Sequence, residues 1–550
     1  MHHAAAPSSV PPLALVGCLL LAAVLLAPAS PAASQNVPVG DVHGEYVRLL
    51  ETVGKADLQR FGPGPLPLDA LYGAVEDTTR HPWMERLTRP EEAELGGGVS
   101  LTLADPGLRA IANTGQPHGQ NEGALWPGRG LNSAVDAGLT LRRGPVELTF
   151  HPTLAFSQNR SFELAPVDFE GLPRYAYPWR WIDLPQRFGP DAFFEVDPGQ
   201  SALRLHLGPA EVGVTAENLW WGPGIQNAIL MSNNAPGFPH LYLATGRPLD
   251  IGIANVEARW IFGRLQQSDW FDPTADDRGR YITGAAAMVN PHFLEGLTVG
   301  AARIFYASVP EDGIPLGEYF LVFQGVSKEE FASPENPEGD DERSQMFALF
   351  WRWVFPESNT ETWIEWARND HGWNFKDYFL QPEHASAFTL GMRHVLDLPR
   401  DRLLSLEAEL TRLEQTRNAA LRDWPTYYAH SIVLQGYTQR GRVIGAGIGP
   451  GSSSQYAAAN LYSPWGRVGL FGQRRVRDND AYFLSQAQEG ERDFCCHNVF
   501  LDIGAGALTT VAGVEVDAST TLTWETNRYF QEDNNHWNVN LRLSGRWRIR

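Results

Sequence analysis

Several long stretches of this chain alternate apolar and polar residues with a period of two. Leu404, Leu406, Ala408 and Leu410 alternate with Ser405, Glu407, Glu409 and Thr411. Val514, Val516, Ala518, Leu522 and Trp524 alternate with Glu515, Asp517, Ser519, Thr523 and Glu525. Val539, Leu541, Leu543, Trp547 and Ile549 do so with Asn540, Arg542, Ser544, Arg546 and Arg548. Successive strand residues point to opposite faces, so each run builds a strand with one greasy and one polar face. A soluble sandwich alternates too. Two details favour a membrane. The runs often reach ten residues, as a tilted spanning strand requires, and aromatics recur near their ends at Trp351, Trp353, Trp363, Trp366, Trp465 and Trp524. From residue 96 onward the pattern gives about 16 to 18 candidate strands, with hairpin signals such as Arg143-Gly144-Pro145. No stretch beyond the first thirty residues or so is long and apolar enough for a spanning helix, so any crossing must be made by a closed sheet. The expected fold is all-β, a large antiparallel transmembrane barrel.

The chain begins differently. Residues 13–27 are almost purely apolar and short, as in a secretory signal peptide, with Ala32-Ala33-Ser34 before Gln35 as the favoured cleavage site and Ala27-Pro28-Ala29 as a second. Leu15-Val16-Gly17-Cys18 has the form of a lipobox, but apolar residues continue past it, which places Cys18 inside the apolar segment. Tyr46, Leu49, Leu50 and Val53 then share one helical face, with Asp41 to cap the start and Gly54 to end it. One or two further short helices are expected between 65 and 87. The expected organisation is 1–34 signal peptide, 35–95 small periplasmic helical element and 96–550 barrel. Polar stretches at 327–342 and 478–497 read as surface loops. Bacterial barrels usually end on an aromatic residue; this chain ends Trp547-Arg548-Ile549-Arg550.

Composition removes several functions. A formal net charge of −20 disfavours nucleic acid, whose phosphates need Lys and Arg. The 18 Trp, 16 Tyr and 27 Phe suit membrane interfaces, sugar faces or a large aromatic core. Cys495 and Cys496 are adjacent and precede His497; they can pair only with each other, and no fourth ligand for a metal is apparent. There is no Gly-x-Ser-x-Gly elbow, no His-Glu-x-x-His and no phosphate-binding Gly loop. Carboxylates are so abundant that a close pair carries no signal. Neither enzymatic activity nor a cofactor is expected.

The most distinctive segment is Glu217-Asn218-Leu219-Trp220-Trp221-Gly222-Pro223-Gly224, followed by Leu230-Met231-Ser232-Asn233-Asn234-Ala235-Pro236-Gly237-Phe238-Pro239. Trp220 and Trp221 can stack on sugar rings, with Asn218 or Glu217 accepting from hydroxyls; equally, a Trp pair before Gly222, Pro223 and Gly224 can wedge a bend in the lumen. Asn233 and Asn234 can read hydroxyls, but two Asn before Ala-Pro are also a turn. Tyr437, Arg440 and Arg442 can meet an acidic sugar or join a lumen ion-pair network. These two segments resemble the family of the capsule assembly protein Wzi, which pairs a Trp-Trp-Gly-Pro-Gly element with a downstream Ser-Asn-Asn-Ala-Pro run. Further patches are similar: Tyr427-Tyr428-Ala429-His430, Gly436 to Arg442 with Gly445, Gly123-Ala124-Leu125-Trp126 with Gly130-Leu131-Asn132, and the opening helix. The resemblance implies an outer-membrane barrel of about 18 strands and a lectin-like role in holding capsular or exopolysaccharide at the cell surface. Outer-membrane lipid and the barrel-assembly machinery would be its other partners.

Three functions from different classes follow. The first is this polysaccharide-tethering barrel. The second is a channel for small solutes or saccharides, which a charged inward face would also suit. The third is a secreted carbohydrate-active enzyme on a soluble β-fold.

Overall fold

A computed structural model describes residues 36–57, 64–76, 79–167, 171–271, 279–325, 343–369, 374–416, 426–487 and 494–548. The apolar segment 13–27, its cleavage sites, Cys18, the stretch 327–342 and Ile549 lie outside the described residues.

The wall begins with β1 (Val99–Asn113) and β2 (Gly130–Arg143). β3 (Val146–Phe150 and Thr153–Ser157) and β4 (Phe193–Asp197 and Ala202–Leu207) are each interrupted once. The break in β3 includes Pro152, which has no N–H for the ladder. β5 (Ala210–Thr215) and a two-piece β6 (His240–Thr245 and Leu249–Asp250) follow. Then come β7 (Ala254–Leu265), β8 (Arg280–Pro291), β9 (Leu297–Ser308) and β10 (Arg343–Phe355). β11 (Thr360–Asn369), β12 (Ser386–Leu398), β13 (Arg402–Arg412) and β14 (Ser453–Ser463) continue the wall. β15 (Gly466–Val476), β16 (Val499–Val511), β17 (Val514–Thr526) and β18 (His536–Trp547) complete it. Each pairs antiparallel with the next, and β18 returns to β1 with Leu541 opposite Ala112. The result is a closed 18-strand barrel. Closure leaves the wall no free sheet edge, which is what hydrocarbon demands.

The alternating runs behave as their pattern requires. Ser405, Glu409 and Thr411 on β13 are buried inward while Leu406 and Leu410 are exposed outward. Leu541 and Leu543 on β18, and Leu501 and Ile503 on β16, extend this exposed apolar belt. Trp524 and Trp537 stack at 5.9 Å at one end of β17–β18, and Trp547 stands at the other. Ten residues separate Trp537 from Trp547 on β18. At about 3.3 Å per residue and a tilt near 40°, they bracket a band roughly 25 Å tall, the height of a membrane barrel's apolar zone. Trp366 also faces outward. Trp363 does not: it is fully buried on the inner side of β11, with the Arg48 guanidinium 5.1 Å from its ring, so it is no interface residue. Position along a strand does not reveal the face; only register does.

Connections differ between the two ends. At one they are short, as at Gly144-Pro145, Pro464-Trp465 and Ala512-Gly513; at the other they are long, including 114–129, 158–192, 216–239 and 413–452. In outer-membrane barrels the short turns are periplasmic.

The N-terminal segment plugs the short-turn end. Helix α1 (Val42–Thr52) is capped by Asp41, whose carboxylate accepts the His43 N–H at 2.9 Å. Its buried Tyr46, Leu49 and Leu50 pack with Trp83 onto Val395, Leu403, Tyr462 and Leu508 of the wall. A six-residue helix, α2 (Leu68–Gly73), follows, and Leu71 joins the same cluster. Charges fix the seat. Glu361 on β11, wholly buried, accepts from Arg48 (3.2 Å), Arg352 (2.7 Å) and Arg393 (2.9 Å). Arg352 also reaches Glu51 at 2.9 Å, Arg393 reaches Glu407 at 3.1 Å, and Asp41 pairs with Arg546 of β18.

The Tyr46 hydroxyl lies 3.0 Å from His81 Nδ1. Burial, with Lys55 nearby, pushes the His81 imidazole down to about 4. Its ordinary value is about 6.5, so below that pH the unfolded chain takes up a proton that the folded seat refuses. The contribution of His81 to stability should be level above pH 6.5, decline as the pH falls toward 4, and flatten below. His81→Asn should lessen the slope of thermal unfolding midpoints measured between pH 4 and 8; a slope identical to the parent's would exclude His81 as a contributor.

Candidate functional site

The long connections do not stand away from the barrel. Segments 216–239 and 426–452 turn back into the lumen and are bound to it and to each other. Within the first, the Trp221 N–H donates to the Met231 carbonyl at 3.0 Å, closing a small hairpin that holds Gly222-Pro223-Gly224. Two carboxylates on the wall receive it. Glu409 on β13 accepts the N–H groups of Ile225 (2.6 Å), Gln226 (3.1 Å) and Asn227 (2.9 Å) together with Trp363 Nε1 (3.2 Å). Glu365 on β11 accepts the Ile229 N–H at 3.1 Å. Gly222 has φ +134° and lies against the Glu365 carboxylate; a side chain there would strike it. Trp221 is fully buried over Gly284 of β8, where a Cβ would come within 2.9 Å of its ring.

The second segment interlocks with the first. The Ser232 hydroxyl donates to Gly445 O at 2.6 Å, Asn234 Nδ2 to Val443 O at 3.0 Å, and the Tyr428 hydroxyl to Ile229 O at 2.7 Å. Arg442 is buried and clamps the 114–129 segment, donating to the carbonyls of Gly123 (2.5 Å), Ala124 (2.9 Å) and Leu125 (3.0 Å). Asn233 Nδ2 donates to Asn121 O at 3.2 Å, and Asn218 Nδ2 to Ala235 O at 2.8 Å. Arg440 pairs with Glu195 at 2.9 Å and Asp197 at 3.0 Å on β4. Glu217 is buried against Arg204. Tyr437 packs wholly buried between Tyr306 and Tyr428.

The singled-out residues are thus brought together, but in a plug. Trp221, Gly222, Pro223, Gly224, Tyr437 and Arg442 are buried. Asn218, Trp220, Asn233, Asn234 and Arg440 stay half-buried. Trp220 ties its Nε1 to Gly224 O at 3.0 Å and, with Asn218 and Asn233, lines a cavity of about 710 Å³ between plug and α1. Arg48 of α1 crosses to the Pro223 carbonyl at 2.9 Å, so helix and plug touch. Trp221→Ala should cost about 3–5 kcal/mol, as for other fully buried large rings. Trp220→Ala should cost far less, so comparing the two melting curves in detergent separates packing from lining.

Plug and wall share an apolar core inside the barrel. Leu219, Trp221, Ile229, Leu230, Met231 and Tyr428 meet Ile261, Ile282, Ile304, Met346 and Phe350 of β7–β10. The inward face there is mainly apolar, with buried charges such as Arg259 on β7 and Arg280 on β8 set among the hydrophobic side chains.

Above the plug lies an aromatic shelf. Trp181 meets Phe271 edge-on at 6.0 Å, Tyr175 meets Trp270 at 5.3 Å, and Trp179 packs on Phe530 at 4.8 Å. Tyr175, Trp181 and Trp270 remain half-exposed. Gln435 and Gln267 bond side chain to side chain at 2.9 Å nearby. Beneath, Arg180 pairs with Asp478 at 2.5 Å, and burial pushes the neighbouring Asp480 up to about 7. None of these shelf residues was singled out from sequence, although Tyr175-Ala176-Tyr177-Pro178-Trp179-Arg180-Trp181 is aromatic enough to have signalled it. Flat half-exposed rings with amides beside them can cover the C–H face of a sugar and bond its hydroxyls. The stretch 478–497, expected as loop, holds the helix Asn479–Ala487 in its first half. Cys495 and Cys496 are joined to each other.

A sequence profile of the family described as capsule assembly protein Wzi matches residues 191–529. No curated protein sequence matches the chain. Among solved structures, the Escherichia coli outer-membrane protein Wzi, described as a carbohydrate-binding β-barrel involved in group 1 capsule assembly, superposes with a TM-score of 0.61 at 11% identity, covering 94% of this chain and 99% of that one. Pseudomonas aeruginosa OccK7 gives a TM-score of 0.39 at 10% identity, over 81% and 98% of the two chains.

Proposed function

Because the chain belongs to the family of the capsule assembly protein Wzi, we propose that it binds capsular or exopolysaccharide and tethers it at the cell surface from the bacterial outer membrane. The observation that carries this reading over a solute channel is the plug. Segments 216–239 and 426–452 fill the loop half of the lumen with packed apolar side chains and hold one another through buried hydrogen bonds. A conduction path needs an unobstructed polar lumen. Binding therefore falls to the shelf of Tyr175, Trp181 and Trp270 on the outer side of the plug. Trp221, Gly222, Pro223, Gly224 and Arg442 act indirectly, by holding the surface on which the glycan rests. Outer-membrane lipid surrounds the apolar belt, and the barrel-assembly machinery inserts the chain.

Deleting the protein should move polysaccharide from the cells into the medium while the total stays constant, as measured by sugar assay of both fractions. Unchanged cell-bound sugar would sink the tethering role and leave the barrel standing. Trp181→Ala combined with Trp270→Ala should weaken retention of the producing strain's own polysaccharide by about tenfold in detergent pull-downs. A correctly folded double variant that binds as the parent does would remove the shelf from the binding surface.

A further inference from the structure

The connection after β9 leaves the barrel on its outer side. Residues 309–325 fold back over the lipid-facing surface of β7–β10. Tyr319 stacks on Phe262 at 3.8 Å and Phe320 on Trp260 at 5.3 Å, and both wall residues point outward, opposite in phase to the inward Ile261. Trp260 Nε1 donates to Tyr319 O at 3.0 Å, and the Thr283 hydroxyl to the same oxygen at 2.9 Å. Leu321 and Val322 are buried against Phe305. The latch is Arg303. This arginine sits on the outward face of β9 and donates to the carbonyls of Val322 (3.2 Å), Gln324 (2.8 Å) and Gly325 (2.5 Å) and to Gln345 Oε1 (2.6 Å).

The depth of this contact identifies what lies against it. Leu297 pairs with Trp353 near the short-turn rim, and Arg303 pairs with Phe347 six residues further along β9. That is roughly 15 Å up a band about 25 Å tall. A bare guanidinium there would face hydrocarbon at a cost of about 2–4 kcal/mol, and the folded-back segment removes that cost by supplying acceptors. The segment in turn presents Leu316 (76% exposed), Phe320 (47%) and Phe323 (39%) outward. They continue the lipid belt marked by Val299 and Leu349 on the same strands.

We propose that residues 309–325 form a membrane-embedded shoulder, latched by Arg303, whose Leu316–Phe320–Phe323 rim is seated among the acyl chains of the outer leaflet. The shoulder widens the barrel on one side in that leaflet alone and gives the molecule a fixed lateral face toward lipid.

The test is site-directed spin labelling in liposomes, in a chain that begins at Gln35, and so lacks Cys18, and carries Cys495→Ser and Cys496→Ser. Labels are placed through Phe320→Cys, Leu349→Cys as the lipid reference and Asp269→Cys as the water reference. The expected result is a ratio of oxygen to nickel-chelate accessibility above one at 320 and 349 and below one at 269. A ratio at 320 matching that at 269 would overturn the proposal. Adding Arg303→Met should shift the 320 label toward the water reference in a barrel that still runs as folded on unheated gels. If the label does not shift, Arg303 is not the latch. If that variant fails to fold, the label on the parent chain still decides whether the rim is in lipid.

Discussion

Replacing Glu361 with alanine should destabilise the barrel by about 3–5 kcal/mol, the cost of leaving buried charges without their partner. Three guanidinium groups, from Arg48, Arg352 and Arg393, share this one carboxylate inside the wall. Arg352 keeps Glu51 and Arg393 keeps Glu407, whereas Arg48, which keeps the Pro223 carbonyl and the Trp363 ring, loses the carboxylate that ties α1 to β11. Helix α1 should therefore loosen first. The expected readings are a lower midpoint of thermal unfolding in detergent and protease cleavage between α1 and β1. Glu361→Gln should fall between parent and alanine variant, because an amide still accepts but no longer neutralises. An alanine variant melting with the parent would show that the arginines find compensation elsewhere.

Glu409→Ala should open the lumen. That carboxylate holds three consecutive N–H groups of the segment 216–239, together with the indole N–H of Trp363 on the wall. Each buried donor left without an acceptor costs about 1–3 kcal/mol, so the plug should detach or become mobile before the wall unfolds. In planar bilayers the parent is expected to be silent and the variant to show frequent conducting events, with Glu365→Ala adding to them. Silence from the double variant would mean that the apolar packing of Trp221, Ile229 and Met231 retains the plug without its polar anchors. That outcome would move the restraint from hydrogen bonds to burial.

The fold was legible wherever one strand face meets lipid and the other meets polar groups. β13, β17 and β18 have that environment, and their alternation carried the barrel expectation. It was not legible over β7–β10. There Ile261 and Phe262, or Phe305 and Tyr306, are both buried, one against the plug and the other under the shoulder, so period two disappears. A strand covered on both faces looks like any apolar run. The plug stayed hidden for a related reason. Its anchors, Glu365 and Glu409, stand 136 and 182 residues or more from the backbone they hold, and nothing local marks them among the chain's many carboxylates. The distinctive Trp-Trp-Gly-Pro-Gly run was visible, but its two reading frames, sugar contact and lumen wedge, use the same residues. Only burial separates them: Trp221 fills the core, whereas Trp220 borders open space.

The salt bridge between Asp41 and Arg546 joins the start of α1 to the last strand, and Arg548 reaches Glu515 at 2.8 Å close by. Synthesis delivers these partners in the opposite order, the helix among the first residues and β18 among the last. The helix has no complete berth until the ring has closed behind it. Docking of α1 is thus a report that closure has occurred, and a chain stalled with β1 and β18 apart would carry its amino-terminal segment loose and open to periplasmic proteases.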